Sequence, residues 1–376
     1  MLSLLFTSRM GDRDLLNYRE RAEHLLVRLS KASEQDEALQ RKLQRAFRLC
    51  SMAWGDYAGA NWTSDASNDG APFEFSIALD QTTANAEVRF LAEAHPQTVC
   101  RGDAHPRVIR LAGQLIAEYS RNYKAVAFVL HQFASLFPPT TSEGKKMVLW
   151  HSFAVSSPQE KWKIYFDPRV YQSPAKAVIF SCLDYLGLMT SWELLNREGL
   201  MSSPDSIAYC CVGFSPDPTQ TELKVYVTHE RATVGDIQDI HKRLHSKIDE
   251  EAIEKFCSTL GEPSHGRYAK KALMSCFAFS TKNPLGQAWT VLFPIDEYTE
   301  DDAEAKRRIR RYMHDLHLCG DYRQRYEDAV RALEDGVAKG KGRRHCWVGL
   351  KARADGGMSN TYYLSSGMGP VPRTGF

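Results

Sequence analysis

The stretch Phe73-Glu74-Phe75-Ser76-Ile77-Ala78-Leu79 alternates strictly, with Phe73, Phe75, Ile77 and Leu79 on one side and Glu74, Ser76 and Ala78 on the other. A strand shows successive side chains to opposite faces, so this pattern describes a strand with one apolar and one mixed face. The same two-faced reading recurs along the chain. Trp162, Ile164 and Phe166 oppose Lys163, Tyr165 and Asp167, and Leu223, Val225 and Val227 oppose Lys224, Tyr226 and Thr228.

Working outward, strands come in pairs joined by short polar links, which marks β-hairpins. The expected pairs are 73–79 with 88–92, 147–155 with 162–166, 207–214 with 223–227, 273–279 with 288–293, and 346–350 with 361–364. Helical stretches are expected between them at 108–137, 174–198, 234–260 and 302–337, after two N-terminal helices built on Leu15–Leu29 and Leu39–Leu49. Residues 54–71, rich in Gly, Asn and Ser, read as a loop. The expected fold class is α+β: one ten-stranded antiparallel β-barrel of five hairpins surrounded by α-helices, because closure removes exposed sheet edges. It forms a single domain over 1–376, with N-terminal helices and loop at 1–71, hairpins at 72–366 and a tail at 367–376. Apolar faces would meet the helices and polar faces would line a lumen wide enough for a ligand.

The 376 residues carry 48 basic and 46 acidic side chains, a net charge of +2 that supplies no general field for nucleic acid or a membrane. Nine cysteines without Cys-x-x-Cys spacing are expected to be reduced thiols in a cytoplasmic protein, with no zinc site. No segment approaches a membrane span. Met10 is an alternative start to Met1.

The mixed faces repeat two residue types, cations and Tyr or Trp. Lys163 and Tyr165 stand at i, i+2, as do Lys224 and Tyr226; Arg89 shares a face with Leu91 and Glu93, Gln287 with Trp289, and Trp347 and Tyr363 occupy the fifth hairpin. One Lys-x-Tyr on a strand is ordinarily a solvated pair, but recurrence around one lumen is not. Buried cations are costly without partners, so the ring calls for a polyanion such as a diphosphate. Aromatic faces beside it would stabilise a carbocation and keep water from it. Glu74, the carboxylate on the first strand's inner face, would accept a hydrogen bond from an indole N–H.

These residues resemble the dimethylallyltryptophan-synthase-type aromatic prenyltransferases, whose barrel alternates α-β-β-α, and the compact length is similar to the bacterial members. The resemblance rests on Pro72-Phe73-Glu74-Phe75-Ser76, Val88-Arg89-Phe90, Lys163-Ile164-Tyr165, Lys224-Val225-Tyr226, Ala288-Trp289-Thr290 and Tyr362-Tyr363-Leu364-Ser365. It implies Glu74 as the indole-contacting acid, Arg89, Lys163, Lys224 and Gln287 as diphosphate ligands, and Tyr165, Tyr226, Trp289, Trp347 and Tyr363 as the aromatic shield. It further implies metal-independent transfer of a dimethylallyl or geranyl group to tryptophan or a tryptophan derivative, with no cofactor. The base that takes the ring proton is left open among Lys163, His151 and Glu74.

Three departures stand out. Glu222 replaces an Arg that the family commonly places before Leu-Lys-x-Tyr; Trp replaces Tyr at 289 and 347; and no basic residue lies in 207–214, where some members hold the carboxylate of free tryptophan. The last departure favours a modified indole. Competing readings are a barrel that carries a ligand without reacting it, and a magnesium-dependent isoprenoid synthase suggested by Asp301-Asp302-Ala303-Glu304. That acidic run also suits a helix N-terminus, and the basic run 306–311 suits a solvated helix face.

Overall fold

The computed structural model describes residues 18–52, 64–93, 114, 117, 149–156, 159–170, 174–200, 207–214, 221–334 and 343–368. The expected helix over 108–137 (apart from Gln114 and Ala117, both helical) and the alternative start at Met10 lie outside them.

All five expected hairpins form: β1 (Phe73–Asp80) with β2 (Ala86–Glu93), β3 (Leu149–Ser156) with β4 (Gln159–Phe166), β5 (Ile207–Phe214) with β6 (Glu222–His229), β7 (Leu273–Ser280) with β8 (Asn283–Phe293), and β9 (His345–Arg353) with β10 (Met358–Leu364). Every neighbouring pair is antiparallel, and β1 pairs with β10 to close the barrel. The helices are α1 (Tyr18–Ala32), α2 (Glu37–Ser51), α3 (Ala175–Tyr185), α4 (Met189–Arg197), α5 (Val234–Arg243), α6 (Glu250–Leu260), the single turn α7 (Ile295–Tyr298), α8 (Asp302–Asp315) and α9 (Gly320–Glu334). None of the described helices is long and apolar enough to cross a membrane.

The apolar strand faces point outward, as the alternation requires. Phe73, Phe75, Ile77 and Leu79 are fully buried in the layer between barrel and helices, where Phe47 of α2 meets Phe73 and Phe90 edge-on at 5.8 and 5.2 Å. Such edge-to-face contacts add to the gain from burying the rings.

Among the described residues, the helical stretches expected at 174–198, 234–260 and 302–337 are each divided in two by a left-handed residue: Gly187 between α3 and α4, His245 between α5 and α6, and His317 between α8 and α9. In each case two backbone N–H groups turn back to carbonyls of the last helical turn, as in Leu188 to Leu183 with Gly187 to Asp184, and Leu318 to Met313 with His317 to His314. This geometry satisfies helix-end carbonyls that have no partner within the helix. At two of these breaks a histidine takes the position that glycine usually holds, so the sequence carries no obvious stop signal.

The acidic run caps a helix. Asp301 accepts from the backbone N–H of Glu304, and Asp302 accepts from the backbone N–H groups of Arg344 and His345 and from the His345 ring. The basic run of α8 is ion-paired, Arg308 to Glu304 within the helix, and Arg310 to Glu327 and Lys306 to Glu334 across to α9.

Candidate active site

The antiparallel register stacks the inward side chains in layers. At one end lies a ring of aromatics: Trp150 of β3, Tyr165 of β4, Tyr209 of β5, Tyr226 of β6, Trp347 of β9 and Tyr363 of β10, with Glu74, Leu91, Met274 and Leu292 among them. The rings touch one another: Tyr209 and Tyr226 lie 4.4 Å apart, Tyr165 lies 5.9 Å from each, and Trp150 lies 6.0 Å from Tyr209. They line a cavity of about 950 Å³, counted to its open mouth, which also reaches Arg89 and Lys271. Aromatic walls with a few polar groups among them suit a small-molecule site.

Two residues further along the strands the lumen turns basic. Lys163 stands two residues before Tyr165 and Lys224 two before Tyr226, and Arg89 on β2 pairs across to Ser76, beside Tyr363. Lys161 and Lys351 extend this layer. Among the described residues its carboxylates are Glu87, ion-paired with Arg89, and Glu222, 2.9 Å from Lys224.

Burial pushes the Lys163 ammonium well below its usual range, reinforced by the neighbouring Lys224 and Arg89. Burial likewise drives Lys351 down to about 7, with Lys224 adding repulsion. Lys224 resists its own burial because the Glu222 carboxylate raises it, while Lys224 overcomes the burial of Glu222 and holds it down to about 2. The layer therefore has more positive charge than its own carboxylates satisfy, the condition under which a bound polyanion gains most.

Glu74 faces the cavity from β1. Burial, with Asp69 adding repulsion, pushes its carboxyl up to about 8; Lys271 and a hydrogen bond from the Cys346 thiol pull the other way. Tyr165, Tyr209 and Tyr226 are held well above the usual phenol range by burial, so they present neutral rings.

The structure thus brings together Glu74, Arg89, Lys163, Lys224, Tyr165, Tyr226, Trp347 and Tyr363 in one lumen. It does not bring Gln287 and Trp289 there. Trp289 lies in the outer core, where its Nε1–H donates to the Leu244 carbonyl at 3.1 Å. Ala288, Thr290 and Leu292 occupy the inward positions of β8, and alternation puts Gln287 on the outer face with Trp289. His151 is likewise excluded as a base. It packs against Trp162 outside the barrel, and burial lowers its ring to about 4.

The sequence reading missed Trp150, Tyr209, Lys161, Lys351 and Lys271. Trp150 alternates with the inward Ser152, and Lys161 with Lys163, so both were available from periodicity.

The tryptophan dimethylallyltransferase family model matches residues 22–329. No curated protein matches the chain in sequence. Among solved structures, the 6-dimethylallyltryptophan synthase from Micromonospora olivasterospora in complex with DMASPP and Trp superposes with a TM-score of 0.79 at 21% identity, covering 95% of this chain and 99% of that one. The 5-dimethylallyltryptophan synthase from Streptomyces coelicolor gives 0.77 at 19% identity, with 94% and 99% covered. AnaPT from Neosartorya fischeri gives 0.73 at 16% identity, with 91% of each chain covered. At these identities the superpositions establish the shared barrel, and the family model covers most of the chain. The chain belongs to the tryptophan dimethylallyltransferase family of aromatic prenyltransferases.

Proposed function

We propose that the barrel transfers a dimethylallyl group from its diphosphate to the indole ring of tryptophan or a tryptophan-derived acceptor, without a metal ion. The observation that carries this reading is the layering: surplus buried cations around Arg89, Lys163 and Lys224 directly beneath a cluster of neutral aromatics. The cations supply the neutralising charge that a metal would otherwise give to a leaving diphosphate. The bond between the allylic carbon and the diphosphate oxygen breaks, and diphosphate departs with the electron pair. Tyr165, Tyr209, Tyr226 and Tyr363 present ring faces to the resulting allyl cation, and their packing excludes water. An indole atom attacks the cation and then loses its proton, restoring the aromatic ring.

Glu74 accepts a hydrogen bond from the indole N–H, which makes the ring more nucleophilic. Lys163 and Glu74 face the lumen as candidate acceptors for the ring proton; burial favours the neutral Lys163 amine, whereas Glu74 is free to accept only above about pH 8. Dimethylallyl is favoured over geranyl because Trp150 and Trp347 both occupy the aromatic ring and narrow it. The solved structures named above as dimethylallyltryptophan synthases carry the same barrel.

The test incubates the protein with dimethylallyl or geranyl diphosphate and a panel of indoles in EDTA, reading products by mass and NMR. A monoprenylated indole with equimolar diphosphate is expected. Activity abolished by EDTA and restored by magnesium would overturn metal independence. Tight binding of both compounds with no product would mark a carrier instead.

A further inference from the structure

Three strands of the barrel carry a lysine and an aromatic on the same inward face. On β4 and β6 the two stand at i, i+2, as Lys163 with Tyr165 and Lys224 with Tyr226. On β9 they are Trp347 and Lys351, with Gly349 between them. The order is reversed because β9 runs the other way, so lysine and aromatic keep to the same ends of the lumen. The extra pair of residues adds roughly 7 Å along the strand, a gap that a flexible four-carbon stem largely bridges. The wall between is made of small side chains, Gly349 on β9, Thr290 on β8 and Thr361 on β10, and leaves the lysine its path. Facing Lys351 across the lumen are Lys224 and Glu222 of β6, Lys161 and Lys163 of β4, Arg89 and Glu87 of β2, and the Cys276 thiol of β7. Its neighbours on β8 and β10, Thr290 and Ser359, carry no charge. Glu87 is taken by Arg89 and Glu222 by Lys224, so among the described residues Lys351 has no carboxylate of its own.

We infer that Lys351 is a ligand of the donor's diphosphate, closing the ring of cations from β9 and taking up a proton as the donor binds. This rests on the reading of the barrel as a prenyltransferase. In the free protein the amine is held down to about 7 by burial and by its cationic neighbours, so at pH 8 it is largely uncharged. A diphosphate among these side chains reverses the balance, because negative charge beside an amine favours its protonated form. The positive charge thus appears when the polyanion does, and the empty lumen is spared part of the repulsion between its cations. The departure on β6, where Glu222 stands in place of an arginine, is met by a lysine from the opposite wall.

The test is titration calorimetry with dimethylallyl thiolodiphosphate, an unreactive analogue of the donor, on the wild type, Lys351→Met and Lys351→Arg. Each protein is titrated at pH 8 in two buffers of different ionisation heat, which counts the protons bound with the ligand. The ligand's last ionisation lies near pH ~6, so at pH 8 the protons counted go to the protein. Lys163 adds an uptake that all three proteins share, and the readout is the difference between them. The wild type is expected to take up about one proton more than Lys351→Met. It should also bind ~10- to 100-fold more tightly, the scale of one charge-assisted hydrogen bond. Lys351→Arg should keep most of the affinity but show the lower uptake, because a guanidinium is charged throughout. The Tm of Lys351→Met should not fall, since the substitution removes a repelled amine. A lower Tm with an unchanged proton count would make Lys351 a wall residue and overturn the inference. Equal uptake by the wild type and Lys351→Arg overturns it too, as does equal affinity in the wild type and Lys351→Met; both leave the prenyltransferase reading intact. Failure of the wild type to bind the analogue overturns both.

Discussion

Tyr362 and Tyr363 are neighbours on β10, yet they belong to different parts of the molecule. Tyr362 faces outward, where its hydroxyl lies 3.1 Å from that of Tyr322; Tyr322 reaches Asn360, and Tyr326 beside it bonds His345. Each hydroxyl in this outer group has a partner within the wall, and the network fastens α9 to the barrel. Tyr363 faces inward, where it lines the cavity beside Arg89 and the Tyr165–Tyr209–Tyr226 cluster. The same residue type is mortar on one face and, in the proposed mechanism, a shield for a carbocation on the other. The strand's period of two separates structural from chemical tyrosines, and residue identity does not.

The sharpest break between the two faces is expected at Glu74. Replacing it by Gln should lower kcat by ~10²–10³-fold, the scale of removing one preorganised contact to developing charge. Stability should move the other way. Its folded pKa of about 8 lies above the ordinary 4.5, so folded Glu74 retains its proton where the unfolded chain has lost it. Its contribution to stability therefore falls as pH rises from 4.5 to about 8 and then levels. Glu74→Gln lacks that loss, so its Tm relative to wild type should climb between pH 5 and pH 8. Undiminished turnover in Glu74→Gln would remove the carboxylate from the mechanism.

A second break separates the basic layer from the aromatic one. Lys224→Met strands the Glu222 carboxylate in the wall, and breaking a buried pair in this way costs about 3–5 kcal/mol. The Tm should drop accordingly, and binding of dimethylallyl diphosphate should weaken. Adding Glu222→Gln should recover the Tm but not the donor binding. Recovery of both, read by calorimetry, would mean that Lys224 serves only the wall.

The barrel was legible because five strand pairs recur with short polar links, and β1, β4 and β6 show strong contrast between faces. The site was legible wherever that contrast marks the inward side, as in Lys163-Ile164-Tyr165 and Lys224-Val225-Tyr226. It failed on β8, where Trp289, Val291 and Phe293 oppose Ala288, Thr290 and Leu292: both faces are largely apolar, so the aromatic identity of Trp289 misled. Tyr209 was hidden by the irregularity between Ile207 and Tyr209, which puts these two residues on opposite faces although they stand at i, i+2. Lys351 lies one residue past the expected end of β9, and strand ends are weakly marked. Lys271 sits before β7, where no periodicity operates, and only the fold brings it to the mouth.

The finest test returns to the adjacent tyrosines. Phe keeps the ring and removes only the hydroxyl, so the two substitutions ask the same question of each face. Tyr362→Phe breaks one buried hydrogen bond and should cost about 1 kcal/mol of stability, with kcat and both KM values unchanged. Tyr363→Phe keeps the π face that a cation needs and should lower kcat by less than about 10-fold, while Tm stays within a degree or two of wild type. The small size of the second effect is itself informative. If the shield works through ring faces, the hydroxyl is dispensable, and a 100-fold loss would instead place the Tyr363 hydroxyl on the diphosphate beside Arg89. If Tyr362→Phe slowed turnover as much as Tyr363→Phe, the wall and the lumen would be coupled, and the division between the two faces would not describe how this barrel works.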